Sequence, residues 1–459
     1  MIPAHNRHPA SFRDPAGFVF EKDGIYYRCI SESFKKQYIH LSETGLFDKL
    51  IRGELLLPFT EVNNIENTSD CFKIIKPQQI PFLNYGWEWS FEQLKDAALT
   101  TLQICIYALE QGMVLKDATH LNIQFVDGRP QLIDTLSFDF YEEGNEWIAY
   151  RQFCECFLNP LLLAGYCGLE VHQLLRAWPD GIPASTTSSI LPFRSKFKLS
   201  VLLHVHLQAK LSSGKPNHKL NNKKKKLSSA QIKHILLHLN ACIKKLKYPK
   251  QKSSWSNYYS ETILSQSYLL NKKEIIQQWL NQTEYKSAID FGANNGEFSM
   301  MCSKNSFIVS ADFDSRCIDE FYIHLKNKSE KHILPLVFDL TQPSPSTGWD
   351  NKEHKSFLSR KAFDLGMALA LIHHLAIAKN IQLDMIASFF SDHVKHLIIE
   401  FVPKCDPKVK EMLHNRKDIF DNYTEEIFEK EFLNYFTINK KQLISGSDRI
   451  LYYMNKKKK

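Results

Sequence analysis

Three acids and two glycines in the C-terminal half fall where a nucleoside could be held. In "AIDFGANNGEFSM" an apolar run ends in Asp290, Gly292 and Gly296, giving the order acid-x-Gly-x-x-x-Gly. Gly292 lets the backbone turn sharply, and Gly296 lets a helix pack closely and a ligand approach. Asp312 ends the next apolar run, about 22 residues after Asp290. At that spacing a carboxylate can accept hydrogen bonds from both hydroxyls of a ribose. Asp339 ends a third run, where a side chain can meet an adenine edge; Asp314 is the weaker ribose candidate. The competing reading makes Asp290, Asp312 and Asp339 helix caps or loop acids. A dinucleotide fits poorly, because Gly292 is followed by Ala293, Asn294 and Asn295, without the second glycine of a pyrophosphate loop.

Proton transfer has its own candidates. "ALIHHLAI" places His373 and His374 after a fourth apolar run, where one imidazole could accept a proton or orient a substrate. The alternative is a histidine at a helix start bonded to backbone. Glu400, ending a fifth run, reads more readily as a structural ion-pair partner.

These residues need strands to carry them. "SAIDF", "SFIVSADF", "ILPLVFD", "FDLGMALAL", "HLIIEFV" and "RILYYM" alternate with stretches long enough for crossover helices, such as "IQLDMIASFFSDHV". That alternation predicts an α/β domain with a doubly wound, mostly parallel, Rossmann-like sheet over 251–459. Ligands of such sheets bind beyond the carboxyl ends of the strands.

The series "AIDFGANNGEFS", "IVSADFD", "LPLVFDL", "LALIHHLAI" and "LIIEFVPKCDP" resembles class I S-adenosylmethionine-dependent methyltransferases, of a bacterial group in which an unusual region precedes that domain. The resemblance implies S-adenosyl-L-methionine as cofactor. Asp290, Gly292, Ala293, Asn294 and Gly296 would receive its methionine end, Asp312 its ribose, and Asp339 and Leu340 its adenine, with Phe313 also at the cofactor. Asn294 departs from the glycine common in such loops, and its amide could bond the amino-acid part. His373 and His374 would lie beside the acceptor. Neither an Asn/Asp-Pro-Pro-aromatic stretch nor a Pro-Cys nucleophile is present, so nucleic acid is disfavoured against a small-molecule, glycan, lipid-linked or protein acceptor. "NYYSETILSQSYLLNKKEIIQQWL" would form a helical lid, with Tyr258, Tyr259 and Tyr268 packing or touching ligand.

The front of the chain holds a second constellation. Asp117 and Asn122 in "LKDATHLNIQFVDGRPQLIDTLSF" have the spacing of a kinase catalytic loop, and Asp134 falls where a metal-binding acid should. In that chemistry Asp117 is the base, while Asn122 and Asp134 hold Mg²⁺ on ATP phosphates. "LKD" and "DTL" depart from the kinase motifs, and no glycine-rich phosphate loop is seen; Lys73 and Lys76 are nucleotide-ligand candidates by neighbourhood alone. The expectation is a kinase-like α+β domain over 1–180 that positions the acceptor. The alternatives are a bifunctional enzyme that also transfers phosphate, and a non-catalytic nucleotide-binding scaffold.

Local signals support this order. Asp23-Gly24 and Asp127-Gly128 predict hairpins. Ser90 and Gln93 have capping-box spacing before a helix with Leu94, Ala98, Leu102 and Leu109 on one face, and Gly112 is placed to end it. Segment 181–250 reads as a basic linker, with Lys223–Lys226 in solvent, followed by a helix whose Ile232, Ile235, Leu236 and Leu239 pack on a domain.

With 459 residues and 44% hydrophobic composition the chain can bury more than one core. No secretory signal and no bilayer-length apolar run is visible, which predicts a soluble cytoplasmic protein. The ten cysteines show no zinc spacing and read as thiols.

Overall fold

The computed structural model describes residues 7–63, 65, 71–213, 227–249, 266–414 and 417–458. Tyr258, Tyr259 and the run Lys223–Lys226 lie outside them. The chain forms two compact units, one of residues 1–251 with 346–355, the other of residues 252–345 with 356–459.

In the first unit, β1 (Gly17–Lys22) and β2 (Ile25–Ser31) form the hairpin expected at Asp23-Gly24, whose φ angles of 52° and 74° are the left-handed pair that such a turn needs. With β3 (Phe59–Glu61) and β4 (Cys71–Pro77) they make an antiparallel sheet in the order β1-β2-β4-β3. Cys29 and Cys71 are joined in a disulfide, which corrects the expectation of ten free thiols. Their spacing in sequence carried no sign of it, because β2 and β4 become neighbours only in the sheet.

At the start of the helix Phe91–Glu110 the Gln93 half of the expected capping box forms: the Ser90 N–H donates to Gln93 Oε1 at 3.0 Å. Gly112, at φ 71°, turns the chain after it. Two small antiparallel pairs follow, β5 (Met113–Leu115) with β8 (Phe138–Phe140), and β6 (Ile123–Val126) with β7 (Arg129–Leu132). The helix Ser229–Lys245 packs along Phe91–Glu110, burying Ile232, Leu236, Leu239 and Ile243.

The second unit is built on seven strands. β9 (Ser287–Phe291), β10 (Phe307–Asp312), β11 (Ile333–Val337), β12 (Phe363–Ala368) and β13 (Val394–Phe401) are mutually parallel, in the order β11-β10-β9-β12-β13. β14 (Phe436–Leu443) and β15 (Ile450–Lys456) close the far edge antiparallel, so the sheet is mixed rather than wholly parallel. β14 buries only Phe436, with Ile438 and Lys440 half-buried and the rest exposed, the pattern of an edge strand. The helix Gln266–Gln282 lays Tyr268, Ile275, Ile276 and Trp279 into a core shared with Ile308, Met367 and Leu451. Strand order reverses at β9, between β10 and β12, and a crevice opens there beyond the strand ends.

Candidate ligand site at the sheet switch point

The loop after β9 folds back on β10. The N–H groups of Gly292 and Ala293 both donate to the Ala311 carbonyl, at 2.8 and 3.1 Å. Gly292, Asn294 and Gly296 have φ of 74°, 51° and 78°. A Cβ at Gly296 would stand 2.0 Å from Phe321 Cζ, so glycine is required there by space as well as by backbone. Asn294 holds the left-handed conformation that asparagine tolerates better than most residues, which accounts for its standing in a glycine-like position. Its side-chain oxygen accepts the Asn295 N–H at 2.8 Å.

Asp312 is buried at the end of β10. One carboxylate oxygen accepts the Asn294 N–H and the other the Asp314 N–H, each at 2.8 Å. Burial pushes its pKa up to about 6, against those two bonds. Asp290 lies beneath the loop, accepting from Ser299 Oγ at 2.6 Å, and burial likewise raises it to about 6. Asp314 caps the helix Ser315–Lys328 through the Arg316 N–H. Asp339 accepts both the N–H and the hydroxyl of Thr341, at 2.8 and 2.7 Å.

A cavity of about 300 Å³ opens above these groups. Of the residues expected at a ligand, Gly292, Asn294, Asp312, Phe313, Asp339, Leu340 and His374 line it. Asp290, Ala293 and Gly296 lie behind the lining and shape the loop. His373 is also set back: it is buried, and both its ring nitrogens lack a hydrogen-bond partner. The two imidazoles are 4.1 Å apart. Burial depresses both, helped at His373 by His374 and then by Arg449 and Lys272, and at His374 by Arg449; His374 falls to about 4, so both rings are neutral at pH 7. Phe291, Phe338, Leu369, Leu371, Leu375 and Lys379 also line the cavity. They belong to the same strand ends and to the turn after β12, and only their neighbourhood to the acids could have singled them out.

Beside the site lies a buried ionic cluster that sequence reading found only at Glu400. Lys272 Nζ and Tyr268 Oη each donate to Glu400 at 2.6 Å. Arg449 bonds Asp406 through Nε at 2.7 Å and reaches Glu400 at 3.4 Å. Burial alone would raise Glu400, but Lys272 and Arg449 outweigh it and hold its pKa at about 2.

In the first unit, the structure brings Asp117, Asn122 and Asp134 together. Asn122 Nδ2 donates to Asp117 at 2.9 Å and to Ser137 Oγ at 3.2 Å, and Ser137 donates to Asp134 at 2.6 Å. Asp134 is ion-paired with Arg28; burial pushes its pKa up, but the Arg28 charge, the bonds from Ser137 and the Leu136 N–H, and Lys116 together lower it. Lys73 pairs with Glu61 at 2.6 Å. Among the described residues no group of three or more His, Cys, Asp or Glu side chains is arranged to hold a metal.

No protein-family model matches the chain. It has a fold likeness to N-methyltransferase NodS from Bradyrhizobium japonicum WM9, with 13% identity, 42% of this chain and 99% of that one covered, and a TM-score of 0.32. For the bifunctional kinase-methyltransferase WbdD the figures are 14%, 47%, 45% and 0.30. For the 16S rRNA methylase RmtB they are 13%, 42%, 64% and 0.30. Nodulation protein NoeA of Rhizobium meliloti (strain 1021) is 33% identical over 460 residues, covering 98% of this chain and 96% of that protein. The chain belongs to the family of nodulation protein NoeA.

Proposed function

We propose that the second unit is an S-adenosylmethionine-dependent methyltransferase. One observation carries this reading: the switch-point cavity is walled by the Gly292–Asn294 loop, by Asp312 and by Asp339, the three successive strand ends singled out from sequence. Each Asp312 oxygen accepts one backbone N–H and keeps acceptor capacity for a ribose hydroxyl. The apolar walls of Phe291, Phe338, Leu369 and Leu371 suit an adenine and the methylene groups beside a sulfonium, and keep water out.

When bound, S-adenosylmethionine supplies a methyl group already activated by its sulfonium. The protein's task is then to align an acceptor with that methyl in a dry site. His374 borders the cavity in its uncharged form, and a neutral imidazole can accept a hydrogen bond or a proton from an acceptor O–H or N–H. His373, set behind it, is the second candidate. The acceptor is a small molecule, a glycan or lipid-linked glycan, or a protein. Tritiated S-adenosylmethionine incubated with lysate fractions tests the activity: label should enter one acceptor fraction with wild type and not with Asp312→Ala. Label in no fraction would favour a non-catalytic scaffold.

A second reading gives the first unit phosphate transfer, with Asp117 as base and Asn122 and Asp134 holding Mg²⁺ on ATP. Their convergence favours it. The Arg28 guanidinium on Asp134 opposes it, because it already neutralises the acid that a cation would need. The first unit is therefore read as a kinase-like module that positions the acceptor. ATP turnover lost in Asp117→Ala and Asp134→Ala would establish the second reading; no turnover in wild type would exclude it.

A further inference from the structure

One helical stretch of the first unit is amphipathic the wrong way round. Residues 199–213 form a continuous helical run with a π turn over Leu202–His206. Leu199, Leu203, Leu207 and Leu211 recur every fourth residue and are all exposed, Leu199 at 65% and Leu211 at 75%. Residues four apart on a helix are neighbours, so these leucines form a stripe. Two polar residues, His204 and His206, are instead turned inward with Val201, Val205 and Ala209.

The inward histidines explain how this orientation is held. His204 bonds the Tyr150 hydroxyl at 2.6 Å and His238, on the helix Ser229–Lys245, at 2.8 Å. His206 bonds Ser188 Oγ at 2.8 Å and Ser195 Oγ at 2.9 Å. Ser195 lies in the turn Phe193–Phe197, so the same bonds fix that turn beside the helix. Phe193 and Phe197 then project outward at 69% and 76% exposure, their rings 5.6 Å apart. Six large apolar side chains thus face solvent from a scaffold that polar bonds hold rigid. Scattered exposed leucines are ordinary, but an ordered stripe of this kind marks a contact surface.

Charge identifies the partner. Arg194, Lys196 and Lys198 alternate with Phe193, Phe197 and Leu199, and Lys210 adjoins Leu211; all four are exposed. From Gly181 to Ser260 the sequence has sixteen Lys and Arg and no Asp or Glu, although the rest of the chain has 42 basic against 50 acidic residues. A helix with leucines and phenylalanines toward one side, edged by basic groups, is the form that lies flat in an anionic bilayer interface. Single-stranded nucleic acid would also attract the charge and could stack on Phe193 and Phe197, but the other four of the six apolar side chains are leucines, which offer no aromatic face.

We propose that the face formed by residues 193–211 docks the protein on the surface of a membrane containing anionic phospholipid, with Phe193, Phe197 and the leucine stripe entering the headgroup boundary and the basic residues contacting lipid phosphates.

The test is co-sedimentation of the full-length protein with vesicles of phosphatidylcholine alone and of phosphatidylcholine with phosphatidylglycerol. Wild type should bind the anionic vesicles at least about tenfold more tightly than the neutral ones, with binding reversed by salt. The double variants Phe193→Ser/Phe197→Ser and Lys196→Glu/Lys198→Glu should each weaken binding by about tenfold or more. Melting temperatures equal to wild type would show that the fold is kept; if the phenylalanine variant melts early, Leu211→Gln carries the same test. Absence of vesicle binding, equal binding to both vesicle types, or anionic binding untouched by the apolar substitutions overturns the proposal. RNA that binds wild type and both apolar variants equally, with vesicles left behind, assigns the surface to nucleic acid instead.

Discussion

The Asp312 carboxylate accepts the backbone N–H of Asn294 at 2.8 Å, and Asn294 presents that N–H because it sits in the left-handed region at φ 51°. The end of β10 and the loop after β9 are thereby locked together where a ligand would enter. Asn294→Gly preserves the conformation and should keep ligand affinity within a few fold. Asn294→Ala must force an alanine into a backbone region that disfavours it by about 1–2 kcal/mol, and should weaken binding about tenfold. Calorimetric titration of both variants checks this. Equal loss in the two would shift the role to the amide side chain.

Gly296 faces a harder constraint. Its Cβ would overlap the Phe321 ring, and its φ of 78° adds strain. Gly296→Ala should destabilise the second unit by about 1–3 kcal/mol or more. Gly296→Ala with Phe321→Leu should recover part of that in thermal melts, since the smaller side chain makes room but leaves the backbone strain.

Asp290 gives a pH signature. Its folded pKa of about 6 stands above the ordinary 3.8, because burial disfavours the charge. The folded state therefore holds the proton more tightly than the unfolded chain. That contribution is complete below pH 3.8 and is lost as pH rises through about 6. Asp290→Asn is neutral at every pH and keeps an oxygen for the Ser299 hydroxyl. It should stabilise the ligand-free protein at pH 7.5 by on the order of 2–3 kcal/mol, and match wild type near pH 4. A variant no more stable at pH 7.5 would show that the carboxylate is better solvated than its burial implies.

Lys272 and Glu400 form a pair in which neither partner is more than 2% exposed. Removing one leaves the other charge buried. Lys272→Met or Glu400→Gln should each cost about 3–5 kcal/mol, whereas the double variant should cost less than either alone, because the uncompensated charge is gone. Chemical denaturation of the three variants measures the coupling; additive losses would mean that the pair is not a unit.

How far these features can be read from sequence depends on whether their cause is local. The two Asp-Gly hairpins, the Ser90–Gln93 capping box and five strands with chemistry at their ends follow from neighbouring residues, and so were visible. The acids of the switch point were legible because a strand end fixes both direction and spacing. β14 carries a weak signal, since "FTINKKQL" scatters Phe436, Ile438 and Leu443 among polar residues and only Phe436 is buried. The partners of Glu400 and the Cys29–Cys71 bond are long-range, made by sheet order and packing. The outward leucines were missed for the opposite reason: their periodicity resembles that of a core face, and only the inward hydrogen bonds of His204 and His206 reveal which side is solvent.

The most direct test of the central claim is calorimetric titration of S-adenosylmethionine, with NAD and ATP as controls, into wild type and Asp312→Ala. Wild type should bind S-adenosylmethionine and not NAD, and loss of the two hydroxyl contacts to a charged acceptor should weaken it by about a hundredfold or more. Wild type that does not bind S-adenosylmethionine, or binding that Asp312→Ala leaves untouched, would contradict the account.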